Sequence, residues 1–362
     1  MAIKRVTDSP ALARPLPVSR RGREGQTNGL ISPDFTRWDR DHHTQKVPRS
    51  STPKMRGEAS LDKFQEPCLV IGAGGMLGTD LILALNSSGL RAVALGRDEA
   101  DVRRFESVRE QIQRWNPGTV FNCAAFTDVD GCESNQEKAF AVNARGAEHV
   151  ARACSQSGAV LVHISSDYVF DGKKRGAYQE EEEVNPLGVY GKSKAEGERL
   201  VRETLPRRHC IVRTRWLFGL HGKNFVESIL RQTQERSRLM VVNDQYGSPT
   251  YAADLSLALI RICKCGGLGT FHVTNSGVTT WFEFARAIVE LSGLSGVRVE
   301  PVETGRLNRP APRPPYSALD NSRYVSLVGS ALRGWQDALR AYLTDRTGRC
   351  APPCQLLPEE KP

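Results

Sequence analysis

The sequence lacks the features that mark several large classes of protein. The 362-residue chain has no run of about 18 apolar residues, so we expect no membrane-spanning helix and no membrane partner. Its N-terminus is basic but has no apolar stretch of the kind that secretory signals carry. No CxxC pair and no Cys/His array with zinc-ligand spacing occurs, so we expect no bound metal. The nine cysteines are scattered through apolar segments, which indicates free thiols in a reducing, cytoplasmic compartment.

Positive charge is concentrated at the N-terminal end of the chain. Residues 1–60 hold 12 Lys and Arg against 6 Asp and Glu, while the whole chain has a net charge of +9. Because residues 1–63 also carry six prolines and no periodic pattern, we predict a disordered basic extension there, and a flexible tail over 347–362. An Arg-rich leader is also compatible with organelle targeting, although its acidic residues count against that. The remaining chain is nearly neutral, so we expect no nucleic-acid partner.

Between these two ends, strand and helix patterns alternate. Short continuous apolar runs, beginning with CLVIG at Cys68, are separated by segments of helical periodicity, among them a helix over 139–158 and a strand over 210–219. This alternation is typical of βαβ units and of a parallel sheet covered by helices on both faces. We therefore predict an α/β fold. A Rossmann-type doubly wound parallel sheet would occupy residues 64–250, and a smaller C-terminal α/β substrate-binding region, interleaved with it, residues 251–346.

A glycine-rich turn follows the first predicted strand. In GAGGMLG, Gly72, Gly75 and Gly78 have the spacing G-x-x-G-x-x-G, with Met76 and Leu77 between them. A tight turn without Cβ atoms lets a pyrophosphate approach the backbone, and the following helix N-terminus offers unpaired N–H groups to the phosphates. The sequence therefore predicts that these five residues form a dinucleotide-binding site.

The end of the second predicted strand indicates which dinucleotide binds. NAD sites usually have a carboxylate here for the ribose 2′-hydroxyl, but this chain has Gly96 followed by Arg97. Because a guanidinium can pair with a 2′-phosphate, we predict NADPH as the cofactor, with NADH as the alternative. Asp101 follows shortly afterwards, and we place it near the adenine.

The motif YGKSK contains a candidate proton donor. Tyr190 and Lys194 are four residues apart, so they share one face of a predicted helix. A phenol has a pKa of about 10, and a neighbouring ammonium should lower it by favouring the phenolate. We predict that Tyr190 is the general acid of a carbonyl reduction, and that Lys194 tunes it and anchors the cofactor ribose. Ser166, at the end of the fourth predicted strand, should hydrogen-bond the substrate oxygen beside Tyr190.

Several motifs resemble those of a known family. GAGGMLG, HISSDYVFDG, NPLGVYGKSKAEGE and NDQYGSPT are similar to motifs of the dTDP-4-dehydrorhamnose reductase family, within the extended short-chain dehydrogenase/reductases. The resemblance covers about residues 67–345. It implies hydride transfer from NADPH to C4 of a 6-deoxy-4-keto sugar on a nucleoside diphosphate, namely dTDP-4-dehydro-L-rhamnose, with dTDP or UDP left open. It also implies a homodimer as one oligomeric state.

The same resemblance implies further site residues. Those expected to line the cofactor cleft are Ala124, Ala125 and Thr127. Those expected on the nucleotide-sugar side are Asp167, Val169, Trp216, Asn243, Gln245, Gly247 and Arg313.

The chain departs from the family pattern at a few positions. Ser166 stands where the family more often has Thr, which keeps the hydroxyl. Arg215 stands where the family usually has a small Ser, and this should alter the pocket. Asp80 and Ala253 occupy two positions of the glutamates that link some bacterial dimers through a metal, so no metal is carried over.

Two other functions remain open from the sequence. The regulatory β subunit of methionine adenosyltransferase shares the fold, NADP binding, SSDYVFDG and YGK-x-K, so the chain could instead bind a methionine adenosyltransferase catalytic subunit without turnover. The NDQYGSPT loop favours the reductases over that reading. An epimerase or dehydratase is the third reading, but dehydratases typically carry Asp-Glu after the catalytic hydroxyl residue. Here Asp167 is followed by Tyr168, which argues against it.

Overall fold

The computed structural model describes residues 66–348. The predicted extension over 1–63 and the part of the predicted tail after residue 348 lie outside the described residues. Within the described range, the seven cysteines are free thiols, as predicted. None of the helices in this range is long and apolar enough to cross a membrane.

Twelve strands occur in the described part of the chain. They are β1 (Cys68–Ile71), β2 (Ala92–Leu95), β3 (Thr119–Asn122), β4 (Val160–Ser166), β5 (His209–Thr214), β6 (Leu217–Phe218), β7 (Arg238–Val242), β8 (Tyr246–Gly247), β9 (Thr250–Tyr251), β10 (Gly269–His272), β11 (Thr279–Thr280) and β12 (Arg298–Val302). Six of them form one parallel sheet in the order β10-β5-β4-β3-β1-β2. The carboxyl ends of its strands therefore meet at one edge, where ligands bind in open α/β sheets.

Helices connect these strands. They are α1 (Met76–Ser87), α2 (Phe105–Trp115), α3 (Val129–Ser134), α4 (Gln136–Phe140), α5 (Gly146–Ser157), α6 (Val189–Thr204), α7 (Phe225–Glu235), α8 (Ala252–Lys264), α9 (Trp281–Leu291), α10 (Ser322–Val328) and α11 (Trp335–Arg346).

The sheet is covered on both faces, which explains why its strands are continuous apolar runs. Side chains of a strand point alternately to opposite faces. Cys68 and Val70 of β1 pack in a buried cluster with α1 and α8. Leu69 and Ile71 pack in a second cluster with α2 and α5. The predicted doubly wound α/β fold is therefore confirmed.

A smaller region of the fold is built from segments that alternate along the chain with those of the main sheet. Its three two-stranded pairs are β7 with β12, β8 with β11, and β6 with β9. Phe218, Phe284 and Tyr342 share its buried cluster, so α9 and α11 pack there. Since α7 and β7 lie in this region and β10 lies in the main sheet, no single residue near 250 separates the two parts. The domain limits 64–250 and 251–346 stay a prediction.

Some local elements differ from the predictions. The strand expected over 210–219 ends at Thr214 and resumes at Leu217, because Trp216 lies between them with a φ of 44°, outside the extended region. The helix expected over 139–158 is preceded by a π-helical turn at Ala141–Arg145, and its regular α-helix begins at Gly146.

One buried ion cluster joins the sheet to α6. The Glu198 carboxylate, fully buried, accepts hydrogen bonds from Arg213 Nε at 2.9 Å and Nη2 at 2.7 Å, and from Arg202 at 2.7 Å. It also accepts one from Ser165 Oγ at 2.5 Å. Burial by itself would raise the pKa of Glu198, but Arg213, together with Arg202 and Ser165, lowers that pKa to about 2. The cluster therefore joins β4, β5 and α6 through one carboxylate.

This cluster predicts an acid-sensitive contribution to stability. Because the folded-state pKa of Glu198 lies below the unfolded value of about 4.3, its contribution is complete above pH 4.3 and is lost as pH falls toward 2. At pH 7, Glu198→Gln should lower the free energy of unfolding by about 3–5 kcal/mol, because the arginines lose their counter-charge. Urea unfolding at pH 7 and at pH 3.5 should show a smaller difference between the two proteins at the lower pH.

Glu203→Gln on the same helix is the matched control. Glu203 pairs with Arg199, but both side chains are more than half exposed, so the substitution should change stability by less than about 1 kcal/mol. Equal effects of the two substitutions on the free energy of unfolding would contradict the role of Glu198 as the carboxylate that joins β4, β5 and α6.

Candidate active site

A cleft of about 410 Å³ opens at the carboxyl ends of β1, β2 and β3. Its lining residues are Gly72, Gly74, Gly75, Gly96, Arg97, Ala100, Asp101, Val102, Arg103, Cys123, Ala124, Ala125 and Val142. Six of the residues predicted from sequence thus come together in one cleft, namely Gly72, Gly75, Arg97, Asp101, Ala124 and Ala125.

The glycine-rich turn is shaped for close backbone packing. Gly72 has a φ of 80°, and a Cβ there would lie 2.7 Å from the backbone nitrogen of Ala124. A Cβ on Gly78 would lie 2.3 Å from the carbonyl oxygen of Gly72, so the helix can approach the turn only with glycine at 78. Gly75 caps α1 without a side-chain hydrogen bond. Since no side chain caps this end, the first N–H groups of α1 can receive a phosphate, and the cleft fits a dinucleotide.

Two arginines lie at the far end of the cleft, and sequence reasoning identified only one. Arg97 and Arg103 both line it. The Asp101 carboxylate, predicted near the adenine, accepts hydrogen bonds from Arg103 Nε at 2.9 and 3.1 Å. These bonds from Arg103 lower the pKa of Asp101. Asp101 therefore orients Arg103 at the cleft, an arrangement that the adjacent sequence positions alone do not reveal.

Six residues predicted for the cofactor site lie outside the cleft lining, namely Tyr190 and Lys194, described below, and four others. Leu77 is buried in the core between α1 and the sheet, and Gly78 packs against the Gly72 carbonyl. Met76 lies against the turn that contains Gly219. Thr127 is exposed, beyond the end of β3. The side chain of Leu77 is in the core, so a contact of Leu77 with the cofactor would be made by its backbone N–H in the first turn of α1, and Gly78 acts through backbone packing.

The candidate catalytic residues come from β4 and α6. Ser166 ends β4, and its side chain lies close enough to Tyr190, one residue into α6, to influence the pKa of the phenol. Lys194 Nζ, fully buried, donates to the carbonyl oxygen of Ile164 at 2.6 Å. Lys194 also lies close enough to Cys123, in the cleft lining, for each to shift the pKa of the other. Lys194 therefore lies beside the cofactor cleft, and it shares α6 with Tyr190, which interacts with Ser166 at the end of β4.

Burial shifts the pKa values of two members of this trio. It raises the pKa of Tyr190, and the neighbouring Ser166 side chain lowers that pKa only in part. Burial likewise lowers the pKa of Lys194 to about 8, opposed by Glu198. In the structure the Lys194 ammonium donates to a backbone carbonyl, so the lowering of the Tyr190 pKa by Lys194 together with the bound cofactor stays a prediction. Tyr190 is held as the neutral phenol.

The sugar side of the site begins at Asp167, directly after Ser166. Its buried carboxylate accepts hydrogen bonds from Ser166 Oγ at 3.0 Å and from Ser317 Oγ at 2.6 Å. The Nε atom of Arg215 lies 3.3 Å from the same carboxylate. Next to this group, the half-buried Trp216 stacks on Trp281 with ring centroids 3.6 Å apart. Asp167 and Trp216 thus lie where the sequence predicted the sugar pocket.

Two other predicted substrate residues are buried and make contacts within the protein. Val169 is fully buried in a small cluster with Phe170 and Tyr178, so its expected contact with substrate is corrected. Gln245 is buried and donates to Thr304 Oγ1 at 2.9 Å.

Two more predicted residues from the NDQYGSPT loop are held by local contacts. The Asn243 backbone N–H donates to the carbonyl of Val302, and its side chain is half-buried. Gly247 has no free space beside it, because a Cβ there would lie 1.9 Å from Cζ of Arg215. The loop motif is thus explained in large part by packing.

Arg313 lies beside Tyr168, the aromatic neighbour of Tyr190. Its guanidinium binds the Asp130 carboxylate through Nη1 at 2.9 Å and Nη2 at 2.7 Å, and a further hydrogen bond to Tyr168 contributes to its raised pKa. The Tyr168 ring packs edge-on to Tyr190, with centroids 5.4 Å apart. Arg309, which sequence reasoning missed, lies close enough for its pKa to be lowered by burial and by Arg313. Two guanidinium groups therefore approach this side of the site.

Within residues 66–348, no group of three or more His, Cys, Asp or Glu side chains is arranged to hold a metal ion. Asp80, at one of the positions noted above, instead lies 3.4 Å from Nε2 of His221.

Comparison with known proteins assigns this site to a family. Residues 67–347 match the family model described as the RmlD substrate binding domain. The chain is 42% identical to the spore coat polysaccharide biosynthesis protein SpsK of Bacillus subtilis, over 78% of this chain and 98% of SpsK. It is 44% identical to a dTDP-4-dehydrorhamnose reductase of Mycobacterium tuberculosis, over 77% of this chain and 92% of that protein.

A solved structure agrees with these sequence relationships. The dTDP-4-dehydrorhamnose reductase of Bacillus anthracis, in complex with NADP, superposes with a TM-score of 0.75 at 36% identity, and the match covers 78% of this chain and all of that one. Together with the glycine-rich cleft and the Ser166–Tyr190–Lys194 group, these matches show that the chain belongs to the dTDP-4-dehydrorhamnose reductase family.

Proposed function

We propose that this protein is an NADPH-dependent oxidoreductase that reduces the C4 keto group of a nucleotide-linked 6-deoxy-4-keto sugar, converting dTDP-4-dehydro-L-rhamnose to dTDP-L-rhamnose. The observation that carries the proposal is the neutral, buried phenol of Tyr190, next to Ser166 and on the helix whose Lys194 lies close to Cys123 in the lining of the dinucleotide cleft. A carbonyl reduction needs a proton donor beside the hydride donor, and this arrangement supplies one.

The residues of the chain divide the work of this reaction. NADPH supplies the hydride when it is bound. Tyr190 holds a proton on its phenolic oxygen and transfers it to the oxygen of the reduced carbonyl, so that ketone, hydride and proton together form the alcohol. Lys194 uses one N–H for the Ile164 carbonyl, and its other donors are available to hold ribose hydroxyls.

Cofactor choice is proposed to rest on two guanidinium groups. Arg97 and Arg103 lie at the end of the cleft remote from Lys194, and Asp101 orients the second of them. Charge-assisted hydrogen bonds to a 2′-phosphate would favour NADPH over NADH.

The alternative is a non-catalytic NADP-binding regulator that resembles the methionine adenosyltransferase β subunit. One assay separates the two functions: the full chain is incubated with NADPH and dTDP-4-dehydro-L-rhamnose or its UDP counterpart, and nicotinamide absorbance is followed. Oxidation with either sugar supports the reductase and identifies the nucleotide. Tight NADPH binding without oxidation favours the regulator. The cytoplasmic location and the homodimer stay predictions of the sequence.

The role of Tyr190 predicts a large effect of removing one oxygen atom. Tyr190→Phe should lower turnover at least about 100-fold, because the proton donor is lost while the ring still fills the same space. The dissociation constant of NADPH, measured by nicotinamide fluorescence, should stay within about twofold. Turnover equal to that of the unaltered protein would remove Tyr190 from the mechanism.

The arginine pair predicts a change in cofactor preference. Arg97→Ala and Arg103→Ala should each weaken NADPH binding about 10-fold or more, the scale of a charged hydrogen bond, and NADH binding much less. Arg104→Ala is the matched control, because Arg104 is exposed and lies outside the cleft lining. Equal losses for both cofactors would show that neither arginine reads the 2′-phosphate.

A further inference from the structure

Arg215 is a buried cation that the reaction scheme above does not use. The residue is only 3% exposed, and burial lowers the pKa of its guanidinium. Its Nη1 donates to the Tyr246 carbonyl at 2.9 Å and to Ser317 Oγ at 2.6 Å. A buried charge of this kind is costly unless it is compensated, so its partners indicate what it does.

The first group that Arg215 holds is the Asp167 carboxylate, which connects Arg215 with Ser166 and the proton donor. Asp167 faces Nε of Arg215 at 3.3 Å, and Ser317 bridges the two by accepting from Arg215 and donating to Asp167 at 2.6 Å. The other oxygen of Asp167 accepts the Ser166 hydroxyl proton at 3.0 Å. Because a hydroxyl has a single proton, Ser166 then uses a lone pair to accept from the Tyr168 N–H at 3.2 Å. Ser166 and Asp167 both act on the Tyr190 phenol, so these contacts connect Arg215 with the proton donor.

The second partner is the aromatic wall of the sugar pocket. The Arg215 guanidinium carbon lies 4.4 Å from the ring centroid of Trp216, within the range of a cation–π contact. Trp216 has a φ of 44°, a backbone conformation that costs energy for a bulky residue and persists only where its surroundings enforce it. Contacts with Arg215 and with Trp281 are available to enforce it.

Space for the guanidinium depends on one glycine. A Cβ on Gly247 would lie 1.9, 2.2 and 2.3 Å from Cζ, Nε and Nη1 of Arg215. Gly247 pairs with Thr279 in the β8–β11 ladder, so its backbone cannot simply move away. A methyl group at 247 would therefore displace Arg215 from both of its partners.

We propose that Arg215 is a positioning residue for the reduction, admitted by Gly247, which holds Asp167 and Trp216 in place and through Asp167 orients the Ser166 hydroxyl beside Tyr190. This inference rests on the proposed function. It also assigns Gly247 to the support of Arg215 and not to direct substrate contact.

The test is a double-mutant cycle of Arg215→Ala, Gly247→Ala and the pair together. Gly247→Ala should lower the melting temperature by several degrees in the unaltered background, because the added methyl group overpacks a filled interior. It should change the melting temperature little when residue 215 is already alanine, since the clash is gone. Gly296→Ala is the matched control, because no atom lies within 4 Å of the Cβ it would add. An equal effect of Gly247→Ala in both backgrounds would overturn the contact.

Kinetics of the folded variants distinguish positioning from simple stabilisation. Arg215→Ala should lower kcat about 10-fold or more with an unchanged NADPH dissociation constant, and Arg215→Lys should recover part of the loss because it restores the charge without the planar fork. An unchanged kcat in Arg215→Ala would reduce Arg215 to a structural role and overturn the proposal.

Failure of the proposed function gives a different result. In that case the unaltered protein itself does not oxidise NADPH with either sugar, and the kinetic role of Arg215 falls with it. The melting-temperature cycle still decides whether Gly247 admits Arg215, and does so without any substrate. Should Arg215→Ala fail to accumulate as folded protein, two other variants provide the same comparison. Arg215→Lys retains the positive charge without the planar fork, and Gly247→Ala keeps the arginine but displaces it.

Discussion

The candidate site depends on one buried carboxylate, Glu198. The proton donor and its ammonium neighbour lie on α6, while the Ser166 hydroxyl lies at the end of β4. Glu198 is one helical turn beyond Lys194, and it is hydrogen-bonded to Ser165 and Arg213, which face each other across β4 and β5. Any sliding of the helix along the sheet would separate these charges in a dry interior, where the cost is high. The ion cluster thus sets the distance between the hydroxyl and the phenol.

Burial then determines what each site group can do. A phenol in this environment keeps its proton, which suits an acid in a reduction, and the Lys194 ammonium is held by a strand carbonyl. Asp167 and Arg215 form a second buried pair on the opposite side of Ser166. The Ser166 hydroxyl is therefore held by a carboxylate whose own counter-charge, Arg215, lies on a different segment of the chain. The direction of its hydrogen bond follows from which neighbour accepts its proton, and here that neighbour is Asp167.

Short-range patterns predicted the fold and the cofactor cleft well. The strand, glycine turn and helix at residues 68–87 are adjacent in the chain, and their chemistry is local, so Gly72, Gly75 and Arg97 could be identified directly. Arg103 was missed because its place at the cleft depends on a hydrogen bond to Asp101, which no periodicity reveals. On the sugar side, Val169 and Gln245 follow motif residues in sequence but point into packed regions, because the turns after β4 and β7 alternate between the pocket and the core.

The sequence by itself determined the alternation of strands and helices, the phosphate-binding turn and the pairing of Tyr190 with Lys194 on one helical face, since each depends on spacing within about ten residues. Only the tertiary structure decided which charges meet. Glu198 with Arg213, Asp167 with Arg215 and Ser317, and Gly247 beneath the Arg215 guanidinium join residues that are 15 to 150 positions apart. Such partners are chosen by the packing of whole elements, because a buried charge must find its counter-charge wherever the fold brings one within reach.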